Sequence, residues 1–136
     1  MSMKVEIHRT DARGNFVRTL YPEKFRFRGK TFVVQKGFEF DGASVPRLFR
    51  ISACSPLDPE AVRGSCAHDW IYRTQPPGWT RAEADLMLLC FLIEDGMPVR
   101  RALKIYMGVR LGGWVAWREN RVRLEIEQLM EEYDNK

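Results

Sequence analysis

Between Val5 and Gln35, β-branched and aromatic residues alternate in part with polar ones, which predicts four strands: Val5 to Arg9, Phe16 to Leu20, Phe25 to Arg28 and Thr31 to Gln35. Phe25 and Phe27 against Arg26 and Arg28 is the plainest alternation, as expected of a strand with one buried face. Asp11 to Asn15 and Arg28-Gly29-Lys30 punctuate these runs as hairpin turns, so an antiparallel meander is expected over residues 1–40. Phe38 to Leu57 follows neither period and reads as loop. Asp58-Pro59 then supplies an N-cap and a first-turn proline for a helix running through Tyr72, despite Gly64. Thr80-Arg81-Ala82-Glu83 has the capping-box pattern and Gly96 the stop of a second helix. Pro98 opens a third, with Ala102, Leu103, Tyr106 and Met107 at helical spacing, ending near Gly112-Gly113. A fourth, from Trp114 to Glu132, puts Trp117, Leu124, Ile126, Leu129 and Met130 on a broad face. The expected fold is α+β, one domain over 1–136, β-rich in 1–40 and helical in 58–132.

Composition supports a packed interior: 45% of residues are hydrophobic and 29% charged, and 136 residues suit one domain. The longest apolar run, Leu86 to Ile93, falls far short of the ~20 residues of a spanning helix. Met1 to Glu6 lacks the layout of a secretory signal, so cytoplasmic synthesis is expected. Cys54, Cys66 and Cys90 have no CxxC spacing and are odd in number, which argues for reduced thiols. The net charge of +4 suits anionic partners, but no basic run exists and no nucleic-acid motif stands behind such binding.

Candidate chemistry centres on Cys66-Ala67-His68-Asp69-Trp70-Ile71-Tyr72. On a helix His68 and Tyr72 share a face, while Asp69 projects about 100° away. Histidine suits general-base work near neutrality, and a separately directed aspartate suits a hard cation such as calcium. The bland alternative is a packed His68 and a solvated Asp69. Helical spacing aligns Asp85 with Leu88, Leu89 and Leu92, the face expected to be buried, and a buried carboxylate requires a partner. If the first two helices pack antiparallel, Asp85 can accept a hydrogen bond from one ring nitrogen of His68 and leave the other to take a proton from water; pairing of Asp85 with Arg81 is the competing account. Asp41-Gly42-Ala43-Ser44 is a turn able to aim carbonyls, a carboxylate and a hydroxyl at a cation, or simply a surface turn. The apolar clusters Phe38/Phe40 and Val45/Leu48/Phe49/Ile51 would line a lipid-binding cleft or cover the core. His8 reads as structural, and Ser44 lacks the context of a hydrolase nucleophile.

Asp41 to Pro46, Ala67 to Tyr72, Ala84-Asp85 with Phe91, and Arg110 to Trp114 together resemble a family of phage and prophage proteins of unknown function. That resemblance implies a phage-encoded protein among tail or lysis functions, made in the host cytoplasm, with virion proteins as partners. The same order, D-G-x-S, H-D-x-x-Y, A-D, is similar to the small bacterial and parvoviral phospholipases A2. This second resemblance implies calcium on Asp69 with Asp41, Gly42 and Ser44, water activation by His68, orientation of His68 by Asp85 and Tyr72, and a phospholipid surface as partner. The chain departs from that pattern in placing Phe91 six residues after Asp85, in its sparse glycine loop and in lacking paired cysteines. Two readings result: a virion or tail component with a buried network of His68, Asp69, Tyr72 and Asp85, and a calcium-dependent lipid esterase.

Overall fold

The computed structural model describes residues 3–11, 14–40 and 58–136, with side chains throughout except at 7–11 and 14–16. Five strands precede three helices: β1 (Val5–Asp11), β2 (Gly14–Thr19), β3 (Glu23–Phe27), β4 (Lys30–Val34), β5 (Glu39–Phe40), α1 (Val62–Thr74), α2 (Arg81–Glu94) and α3 (Val99–Asp134). This is the expected α+β class. The expected single meander is instead two sheets, β1-β2-β5 and the hairpin β3-β4. The division falls where Thr19 ends β2. Its hydroxyl donates to the Gln35 carbonyl at 2.9 Å and accepts from Phe38 N–H at 3.1 Å, and its backbone bonds Gly37 and Phe38. These bonds pull 35–40 onto β2, with Val17 opposite Phe40, so a strand forms at the start of the segment expected to be loop. In the β3-β4 hairpin Arg28 and Gly29 both have positive φ, 51° and 80°, matching the right-handed twist of the flanking strands.

Helix α1 starts at Val62 and not at Asp58, because the Asp58 carbonyl accepts from both Ala61 and Val62 N–H and closes a separate turn. It ends at Thr74, with Gln75 left-handed at φ 42°. The capping residue of α2 is the expected Thr80, whose hydroxyl accepts from Glu83 N–H at 3.2 Å. The Glu83 carboxylate does not return to close the box; it pairs with Lys30 and ties α2 to the β3-β4 hairpin. The largest revision is α3, a single helix through Gly112-Gly113 where two were expected. Gly113 is there for proximity: a Cβ at this position would lie 2.6 Å from the Tyr72 hydroxyl oxygen, so only glycine lets α3 approach α1 so closely.

Two apolar clusters flank α2. One joins Val17, Phe25, Val34 and Phe40 of the sheets to Ile71, Tyr72, Met87 and Phe91; the other joins Leu88 and Leu92 to Ala102, Ile105 and Val109 of α3. No helix of the described residues is long and apolar enough to cross a membrane.

Candidate functional site

Asp85 enters from the first turn and a half of α2, is fully buried, and meets side chains of all three helices. One carboxylate oxygen, Oδ1, lies 2.8 Å from His68 Nε2 and accepts from the Tyr72 hydroxyl at 2.6 Å. The other, Oδ2, accepts from Arg110 Nη1 at 2.8 Å and Arg81 Nη1 at 3.3 Å. The helical pattern of α1 explains the first pair: His68 and Tyr72, four residues apart, present one face to α2, their rings 4.2 Å apart. Arg110 comes from α3, and Arg81 is one turn ahead of Asp85, its guanidinium also donating to the Val109 and Arg110 carbonyls.

Burial alone raises a carboxyl pKa, but hydrogen bonds from His68, Tyr72 and Arg110 outweigh it and hold Asp85 below the usual carboxylate range. Asp85 is therefore ionised near neutrality and can only accept. The proton on the 2.8 Å contact then belongs to His68 Nε2, and in the neutral ring Nδ1 carries the lone pair. Burial and the adjacent Asp85 charge push the Tyr72 phenol far above its ordinary value, so it stays a donor. Burial likewise raises the thiol of Cys66, with Asp69 adding to the effect, and that cysteine is no nucleophile.

His68 Nδ1 faces Asp69, whose Oδ1 is 4.0 Å away, beyond hydrogen-bond distance. Asp69 and Tyr72 lie along a half-open cleft of about 370 Å³, whose further walls include Arg73, Glu119, Asn120 and Arg123. His68 sits behind them, 1% exposed. The cleft is held in shape by Arg123, which donates to the Arg73 carbonyl at 2.8 Å, and by Gln75, which donates to the Trp117 carbonyl at 2.8 Å. Phe38 and Phe40 serve the core here: Phe40 is buried, and Phe38 packs edge-on against Trp70 at 5.1 Å.

Of the residues singled out from sequence, His68, Tyr72 and Asp85 converge on one point, with Asp69 beside them. Asp41, Gly42 and Ser44, and the cluster at 45–51, lie outside the described residues, as does the His8 side chain. Calcium takes six to eight oxygen ligands, and among the described residues no group of three or more acidic, histidine or cysteine side chains could hold a metal. Asp69 alone does not make a calcium site. The two accounts of Asp85 hold together, since Arg81, four residues earlier at the spacing of a helical ion pair, shares the carboxylate with His68. Arg110 was absent from the expected site, although it opens the Arg110-Leu111-Gly112-Gly113-Trp114 motif.

Residues 19–109 match a family described as a protein of unknown function, DUF1353. The match takes in β3, β4, β5, α1, α2 and the start of α3, and so Asp85 with His68, Tyr72 and Arg81, but stops one residue before Arg110. No curated protein and no solved structure matches the chain.

Proposed function

The chain belongs to the DUF1353 family of proteins of unknown function, and from that premise we propose that its Asp85 cluster is a hydrolytic centre in which His68 activates water, in a phage- or prophage-encoded lipid esterase similar to phospholipases A2. What supports this reading is the division of labour on one carboxylate: Asp85 Oδ1 takes both His68 Nε2 and the Tyr72 hydroxyl, which fixes the ring and turns Nδ1 toward Asp69 at the cleft. In the proposed step Nδ1 takes a proton from water while the water oxygen bonds to the ester carbonyl carbon. The tetrahedral adduct then breaks its bond to the alcohol oxygen, which receives the proton from His68, giving fatty acid and alcohol. Asp85 balances the transient imidazolium, and Tyr72, Arg81 and Arg110 hold Asp85 in place. No step is assigned to calcium, since among the described residues no group of three or more acidic, histidine or cysteine side chains could hold it.

A specific observation favours a second reading. His68 is almost fully buried, and Asp85 is engaged by four side chains from three helices, as in a network that locks a virion or tail protein. The deciding measurement is fatty-acid release from phospholipid vesicles, run with calcium and with chelator. Hydrolysis is expected from wild type and is expected to fall about 10²–10⁴-fold in His68→Gln, with far-UV circular dichroism unchanged. A folded wild-type protein inert under both conditions overturns the esterase reading in favour of the structural one.

A further inference from the structure

Beyond the proposed chemistry, and independent of it, lies the outer face of α3. Leu111, Val115, Val122, Ile126, Leu129 and Tyr133 are all exposed, from 43% at Val115 to 80% at Tyr133. At 100° per residue these six fall within an arc of about 60°, a straight stripe whose centre lies about 120° around the helix from the buried Ala102, Ile105 and Val109. From 121 to 136 every residue except Leu124 is exposed, and beyond Arg121 and Arg123, which bond Gln75 Oε1 and the Arg73 carbonyl at 2.8 Å each, the last three turns project from the body of the protein. A lone helical extension of this length is marginal in water, and its apolar stripe calls for cover.

Charge along one rim of the stripe identifies the cover. Arg118 and Arg121 occupy its first half, and Glu125 and Glu132 its second, all exposed. In an antiparallel pair of helices the same rim faces itself in reverse direction, so the basic half of one chain meets the acidic half of the other, twice. A parallel pair would instead set this rim against the opposite one, which carries Glu119, Arg123 and Asp134 and has no such division. The acidic end also opposes docking on an anionic lipid surface, which basic amphipathic helices favour. A two-fold contact is self-complementary in this manner. We propose that α3 pairs antiparallel with α3 of a second copy of this chain, the six apolar residues forming the seam and Val122 lying near the two-fold axis.

Sedimentation equilibrium of the full chain, from low to high micromolar concentration, tests this. Wild type is expected to be dimeric; Ile126→Glu with Leu129→Glu is expected to be monomeric with an unchanged melting profile at low concentration. The charge arms fix the orientation. Arg118→Glu with Arg121→Glu is expected to weaken dimerisation at least tenfold, and adding Glu125→Arg with Glu132→Arg, which reverses both halves of the rim, is expected to restore it. A wild-type monomer at all concentrations overturns the proposal, as does a dimer indifferent to the Ile126 and Leu129 changes. A monomer that instead binds zwitterionic vesicles through this stripe gives the face to lipid. Failure of the quadruple reversal to restore the dimer overturns the antiparallel arrangement.

Discussion

Asp85, fully buried, holds an imidazole, a phenol and two guanidinium groups on one carboxylate. Its carboxyl is held below the ordinary value of 3.8, so its contribution to stability is complete above that value and is lost as pH falls through the depressed folded value. Wild type is therefore expected to lose stability steeply at acid pH, and Asp85→Asn to show a shallower acid limb. At neutral pH the same substitution sets a neutral amide against two guanidinium groups and is expected to cost about 3–5 kcal/mol, as removal of one partner from a buried pair does. Urea melts of both proteins at a series of pH values check sign and size together; parallel acid limbs would show that Asp85 is not what titrates. At this scale the sequence was legible where chemistry is local. A carboxylate within an apolar run had to find a partner, and a His four residues before a Tyr had to share its face. Arg110 was less so, because nothing in a single-chain pattern says that a residue 25 positions on will return to the same carboxylate.

The elements repeat this division. The Thr80 cap and the Arg28-Gly29 turn depend on neighbours within a few residues, and both stand where the pattern put them. Gly112-Gly113 read as a helix stop because glycine lowers helix propensity by about 1 kcal/mol, yet α3 runs straight through. The gain that outweighs that cost is contact between α3 and α1 at the Tyr72 hydroxyl. Gly113→Ala is accordingly expected to destabilise by about 1–3 kcal/mol through overpacking, despite alanine's better propensity. A lowered melting temperature is the readout, and a raised one would mean that propensity decides here. Because Tyr72 must move, the variant is also expected to loosen the 2.6 Å bond to Asp85.

For the whole molecule, β3, β4 and α1 to α2 form a body from which the end of α3 projects. The expected face of Trp117, Leu124, Ile126, Leu129 and Met130 is only partly used: Trp117 packs edge-on to Tyr72 at 5.1 Å, whereas Ile126, Leu129 and Met130 are more than half exposed. Amphipathic spacing shows that a face is apolar; it does not say which body will bury it. Ending the chain after Arg123, which keeps that residue's bond to the Arg73 carbonyl, is expected to leave the melting temperature of dilute protein within about 2–4 °C of wild type, the shift that about 1 kcal/mol produces in a domain near this size. Differential scanning calorimetry checks this, and a collapse of stability would show that the projecting turns belong to the core. The sequence by itself determined the α+β class, the hairpins, the cap of α2 and the pairing of a buried acid with a helical histidine, because each follows from interactions among near neighbours or from the cost of burying charge. Only the tertiary structure decided that the strands part into two sheets, that α3 is continuous, and that Arg110 joins the Asp85 cluster, because those outcomes depend on which distant surfaces meet and how closely they approach.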